Sequence, residues 1–138
     1  MVVSLELLEK KLKLNGHSIT KPRKITFETL VQSNIPLTMQ ELIRRTNKKI
    51  DRASVYRTID LFESNDITQR IYSGWKYKLE LSDAFQEHHH HFTCSNCGLV
   101  IPINNQTLED DIDKISKETY FKTVSHQLEI QGICNKCQ

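Results

Sequence analysis

Apolar positions in the first half of the chain recur at helical spacing and then switch to alternation. Leu5, Leu8 and Leu12 fall on one face of a helix that breaks at Asn15-Gly16. A second helix is predicted from near Thr20, with Pro22 tolerated in its first turn and Ile25, Phe27 or Leu30, and Val31 turned inward. Pro36 ends that run. Thr38-Met39-Gln40-Glu41 then has the spacing of a capping box, in which each side chain satisfies an orphan N–H, so a short third helix should run to about Thr46. Asp51 is a suitable N-cap for a fourth helix, with Val55, Ile59, Leu61 and Phe62 as its buried stripe and Asn65 at its end. Helices three and four are the candidate helix-turn-helix.

Two strand-like runs follow, Ile67 to Tyr72 and Lys76 to Leu81, joined through Ser73-Gly74 as a hairpin that would form a wing. Ser82 to Glu87 is polar and without period, which places a hinge at 83–87 between a domain at 1–82 and another at 88–138. Beyond it, His89 to Cys94 and Leu99 to Ile103 read as strands around a Cys-Ser-Asn-Cys-Gly turn. A helix from about Gln106 to Lys117 and a long strand from Thr123 to Ile133 complete the chain. The expected class is α+β, a winged helix-turn-helix followed by a small α/β unit.

The overall charge of +2 hides an asymmetry. Residues 1–81 carry 15 Lys and Arg against 9 Asp and Glu, a balance of +6, whereas residues 82–138 carry 4 against 8, a balance of −4. A basic half suits a polyanion and an acidic, His-rich half suits cations, although either is also what an ordinary solvated surface looks like. Hydrophobic content of 38% is ordinary for a globular chain. No apolar run approaches the roughly 18 residues needed to span a bilayer. The start lacks the basic, apolar and small-residue segments of a secretory signal, so a cytoplasmic protein without membrane partners is expected.

The strongest chemical signal is a pair of C-x-x-C turns, Cys94/Cys97 and Cys134/Cys137. Together they supply the four thiolates of a closed structural Zn2+ site, and the second pair would tie the chain end back onto the first strands. A free redox dithiol is the alternative. Next comes His88-His89-His90-His91. On an extended strand His88 and His90 point to one side and His89 and His91 to the other, so one strand can feed two metal sites. The third signal is Asp51-Arg52-Ala53-Ser54-Val55-Tyr56-Arg57-Thr58, a capped helix start that is polar, basic and aromatic before it becomes apolar. Such a turn fits a DNA major groove, and equally an ordinary surface helix.

Taken in order, these features resemble the ferric uptake regulator (Fur) superfamily over nearly the whole chain. The motifs that carry the resemblance are Thr20-x-Pro22-Arg23, Ser54-Val55-Tyr56-Arg57, and His88 to His91 running through Phe92-Thr93-Cys94-Ser95-Asn96-Cys97-Gly98. The resemblance implies a homodimeric repressor that binds palindromic promoter DNA when loaded with a divalent metal, and no small organic substrate. It assigns Cys94, Cys97, Cys134 and Cys137 to structural zinc, and His88, His90, Glu109 and His126 to a metal site in a dimerisation domain. Glu109 would project from the helix and His126 from the long strand, a mixed nitrogen and oxygen set suited to zinc, iron or manganese. The resemblance also implies an interdomain regulatory site at His89 and His91, with Glu80 as third ligand or Asp83 in its stead.

Three positions depart from the family pattern. Pro36 and Pro102 stand where the iron and peroxide branches place a His and an acidic residue, which argues against a peroxide sensor. Ser18 stands where many members carry a basic residue for the minor groove. On DNA, Arg23 and Lys24 are expected on the phosphate backbone, Arg57 at a phosphate or base edge, Tyr56 against a thymine methyl, and Ser54 beside them in the DNA-binding set. A zinc hydrolase using Glu80 or Glu87 as base lacks a separate substrate domain, so no enzyme is expected. The alternative function is a redox or metal-buffering module without specific DNA affinity.

Overall fold

A computed structural model describes residues 5–138. The part of the first predicted helix that falls on residues 1–4 lies outside the described residues. The chain clusters into two compact units, the first ending at Glu87 and the second running His88–Gln138.

In the first unit, α1 (Leu5–Leu14), α2 (Lys21–Val31), α3 (Met39–Arg45) and α4 (Arg52–Ser64) precede a hairpin of β1 (Thr68–Ser73) and β2 (Lys76–Leu81). The helix starts follow the local chemistry. Thr38 Oγ1 accepts from the Glu41 N–H at 3.1 Å while the Glu41 carboxylate accepts from the Thr38 N–H at 2.8 Å, so the capping box is complete. That backbone hydrogen bond, against a smaller desolvation penalty, holds Glu41 below the usual carboxylate range. Pro22 sits in the first turn of α2, where a missing N–H costs nothing. α2 turns Thr26, Phe27 and Leu30 inward, whereas Ile25 and Val31 are only partly covered. Thr26 takes the place expected for Ile25 because the buried stripe passes one residue further along the helix.

The core of this unit joins Leu8, Leu12, Phe27, Leu30, Leu37, Leu42, Val55, Ile59, Phe62 and Leu79. Phe27 meets Phe62 and Phe85 edge-on, with centroids 6.4 and 5.3 Å apart. Phe85 is 1% exposed, so the polar stretch after β2 is anchored in this core. On α4 the inward set is Val55, Thr58, Ile59 and Phe62, with Leu61 at its edge.

The hairpin is antiparallel, with Ser73 opposite Lys76 across the turn. Gly74 adopts φ +63, the left-handed conformation that such a turn demands. A bridge from Leu37 to Leu79 fixes β2 to the chain before α3. From the other side, the Arg70 guanidinium forms a bidentate pair with Glu63 of α4 and lies 4.1 Å over the Tyr77 ring. The wing is therefore braced against α4. Trp75 stands at its tip, 86% exposed.

The second unit contains β3 (His90–Cys94), β4 (Val100–Ile103), α5 (Gln106–Glu118) and β5 (Glu129–Gly132). Its sheet has the order β4-β3-β5, with β3 antiparallel to β4 and parallel to β5. The long strand expected from Thr123 is thus shortened to four residues. The register explains why: His91 pairs with Glu129, its N–H reaches the Leu128 carbonyl at 3.4 Å, and β3 begins at His90, so residues before 128 have no strand to pair with. Asn105 caps α5 by accepting from the Leu108 N–H at 3.1 Å. That helix is amphipathic yet buries none of its residues.

Candidate metal centres and nucleic-acid interface

The two C-x-x-C turns are brought together by the sheet. After β3 the chain reverses through Cys94-Ser95-Asn96-Cys97-Gly98, closed by the Gly98 N–H donating to the Cys94 carbonyl at 2.9 Å. Gly98 has φ +75, which most side chains would disfavour. The Ser95 N–H donates to the Gly132 carbonyl at 2.8 Å, which holds the end of β5 beside this turn and delivers Cys134 and Cys137 to it. All four Sγ atoms lie within 4.8 Å of one another, and none is in a disulfide.

The geometry passes a simple test for zinc. With Zn–S near 2.3 Å, the edge of a tetrahedron of sulfurs is about 3.8 Å, and Cys97 Sγ lies 3.7 Å from Cys134 Sγ. The electrostatics agree. The Cys134 and then the Cys97 N–H groups donate to Cys94 Sγ, at 3.4 and 3.5 Å, and bring its pKa down to about 6. For Cys137 the Asn96 side chain pulls downward, but hydrogen bonding with Cys134, burial and the other sulfurs outweigh it and push the thiol up to about 12. Four thiols compete here for protons, as expected of a nest suited to one cation.

A second cluster lies at the start of β3. His88, His90, Glu109 and His126 offer ligand atoms that all fall within 4.8 Å of one another. His88 and His126 face each other through Nε2 at 3.0 Å, His90 Nε2 is 2.6 Å from Glu109 Oε1, and His126 Nε2 is 2.9 Å from Glu109 Oε2. Ligands about 2.0 to 2.2 Å from one ion stand roughly 3 to 3.5 Å apart, so this donor set fits a nitrogen and oxygen metal site. Burial works to raise the pKa of Glu109, but the His90 hydrogen bond and the charges of His126, His90 and His88 bring it below the ordinary carboxylate value. His90 is 1% exposed, and its Nδ1 has no hydrogen-bond partner.

His89 and His91 form a separate pair, with ring centroids 4.6 Å apart and edge-on. His88 thus groups with His90 and His89 with His91, although only His90 and His91 lie within β3. Glu80 lies on β2 of the first unit, buried, and accepts from Gln69 Nε2 at 2.7 Å. Asp83 is exposed, just beyond β2. One acidic residue escaped the sequence reading: Glu129, whose Oε1 is 3.0 Å from His91 Nδ1. Only the parallel pairing of β5 with β3 makes them neighbours, and no local motif announces that register.

In the first unit, Asp51 caps α4, accepting from the Ser54 N–H at 2.9 Å and from Ser54 Oγ at 2.6 Å. The Ser54 side chain, then its N–H, hold Asp51 below its ordinary pKa. With Asp51 spent on the cap, the exposed face of the first turns shows Arg52, Ala53, Tyr56 and Arg57. Thr20, Pro22 and Arg23 at the start of α2 share with Ser54, Arg57 and Thr58 a recess of about 180 Å³. Arg23, which lines this recess, also donates to the Ser18 carbonyl. Lys24 and Tyr56 are exposed outside the recess.

A winged helix-turn-helix joined to a unit with thiolate and imidazole donor clusters defines the class of metal-dependent DNA-binding regulators. A model of the ferric uptake regulator family matches residues 14–131. The chain is 32% identical to the ferric uptake regulation protein of Campylobacter jejuni, in an alignment spanning 98% of this chain and 88% of that protein. Its fold is similar to the Helicobacter pylori regulator Fur, described as having three functional metal binding sites, with TM-score 0.81, 27% identity, and coverage of 96% and 90%. A zinc-bound manganese uptake regulator is similar at TM-score 0.70 and 30% identity, with coverage of 93% and 98%. The chain belongs to the ferric uptake regulator family, a family of metal-dependent transcriptional regulators. Among the described residues no helix is long and apolar enough to cross a membrane.

Proposed function

We propose that this chain is a homodimeric, metal-responsive repressor of metal uptake or homeostasis genes that binds palindromic promoter DNA through α4. Zinc at Cys94, Cys97, Cys134 and Cys137 is structural, since four thiolates leave no position for a substrate. A second divalent metal, zinc, iron or manganese, is held by His88, His90, Glu109 and His126. His89 and His91 form the regulatory pair, with Glu80 as the third ligand to be tested by Glu80→Gln. When bound, the metal supplies positive charge and a fixed ligand geometry; the residues supply the selectivity. Its effect on DNA binding equals its differential affinity for the competent conformation.

The observation that carries this reading is the convergence of donors far apart in sequence. His126 lies 38 positions after His88, yet their Nε2 atoms are 3.0 Å apart. On the DNA side, Tyr56 is assigned to a thymine methyl, Arg57 and Ser54 to phosphate or a base edge, and Arg23 and Lys24 to the backbone. The apolar positions that one chain leaves exposed, Ile115 at 59%, Phe121 at 77% and Val124 at 92%, support a dimer built on the second unit. No role assigned here is catalytic. Cytoplasmic location follows from the role on DNA.

Sedimentation and footprinting on the upstream DNA of its own gene test the reading. A dimer with a two-fold symmetric footprint, its half-sites about one helical turn apart, is expected. A monomer, or protection without symmetry, would overturn it.

A further inference from the structure

Two consecutive histidines of β3 each meet a carboxylate, but through different ring atoms. His90 presents Nε2 to Glu109 at 2.6 Å, in the cluster where three imidazoles and that carboxylate converge. His91 presents Nδ1 to Glu129 at 3.0 Å. The difference decides what each carboxylate does. At Nε2, within a ring of donors, it is a co-ligand. At Nδ1, it stands behind the ring.

His91 lies in the middle strand, with Pro102 opposite it on β4 and Glu129 opposite it on β5. Proline has no backbone N–H and its side chain has no polar atom, so the Pro102 side chain itself offers the imidazole no hydrogen bond. The β5 side does, and the ring is 1% exposed, so water does not compete freely for it. An ionised carboxylate only accepts hydrogen bonds. Its contact at Nδ1 therefore keeps the proton on Nδ1 and directs the Nε2 lone pair outward, toward the face where the His89 ring lies 4.6 Å away.

We propose that Glu129 is the positioning residue of the metal site at His89 and His91: it sets the His91 tautomer and ring plane and raises the basicity of Nε2. This rests on the reading of His91 as a metal ligand. Carboxylate–histidine–metal relays of this kind typically lose 10- to 100-fold in metal affinity when the outer carboxylate is removed. Because the side-chain period of a strand is two, a slip of β5 by one residue would turn Glu129 to the other face, so the parallel register is part of the device.

The test uses the full-length protein with its structural zinc retained and its histidine rings labelled with nitrogen-15. Long-range proton–nitrogen spectra before addition of a second metal should show His91 protonated at Nδ1. Glu129→Leu should abolish that preference and weaken one zinc equivalent by 10- to 100-fold in competition titration, with the structural zinc content unchanged. Glu129→Gln, which keeps an acceptor oxygen and the fold, should lie between the two. If His91→Ala removes a zinc equivalent while Glu129→Leu alters neither tautomer nor affinity, the positioning role is wrong and the site stands. If His91→Ala leaves zinc binding intact, the metal-site reading itself fails.

Discussion

Removing the structural zinc should melt the second unit while sparing the first. The unit His88–Gln138 has 51 residues, and Val100 is the one aliphatic residue among its described positions that is fully buried. Burial of one such side chain is worth about 1.5 to 3 kcal/mol, whereas ordering the backbone costs about 1 to 2 kcal/mol per residue. Hydrophobic burial within one chain cannot hold this unit. Structural zinc binds with roughly 10 to 16 kcal/mol in small metal-folded domains. At about 1 μM free zinc this amounts to about 2 to 8 kcal/mol of stabilisation. For a unit this small, that is a fall in Tm of at least about 10 °C on chelation. Cys137→Ser should likewise weaken zinc binding by at least about 100-fold, since a hydroxyl is a poor substitute for a thiolate. Differential scanning calorimetry with zinc-buffered and chelated samples, alongside zinc quantification, reads both effects. A chelated, zinc-free protein whose transitions all coincide with those of the loaded form would refute the reasoning.

Other expectations follow from the same geometry. Arg57→Ala should weaken DNA binding and lower the salt slope by about 1 if the guanidinium neutralises a phosphate; equal affinity and slope in a fluorescence anisotropy titration would remove it from the interface. Phe62→Ala, at a fully buried position edge-on to Phe27, should cost about 3 to 5 kcal/mol in chemical denaturation of the first unit. Glu41 has a folded pKa below its unfolded value, so its contribution is present at neutral pH and disappears as the pH falls through the folded pKa; the acid-side loss of stability should be shallower in Glu41→Gln. Trp75 is the single tryptophan and is 86% exposed at the hairpin tip. Its emission should change on DNA binding if the wing touches the duplex, and an unchanged spectrum at saturation would take the wing off the DNA.

Local chemistry made the first unit readable. Caps at Thr38 and Asp51, Pro22 in a first turn and the Ser73-Gly74 reversal all act within a few residues, so their structural consequences are written beside them. The four cysteines and the alternating histidines were legible for the same reason: spacing of two or three residues fixes which donors share a side. What stayed hidden depends on pairing between distant segments. Thr26 and Thr58 are buried because of the helices packed on them, against the polarity of their hydroxyls. The end of the expected strand at Thr123 is set by where β3 starts, and Glu129 gains a role only because β5 runs parallel to β3 in one register. Glu109 and His126 came from family resemblance, since a helix and a distant segment carry no shared local pattern.

The most direct test of the account is the affinity of the protein for its own upstream DNA, with structural zinc retained, as zinc, iron(II) or manganese(II) is added at fixed salt. The account predicts that one of these metals strengthens binding at least tenfold, about 1.4 kcal/mol of coupling, and that His89→Ala with His91→Ala removes the response. Equal affinity with and without every added metal would contradict it.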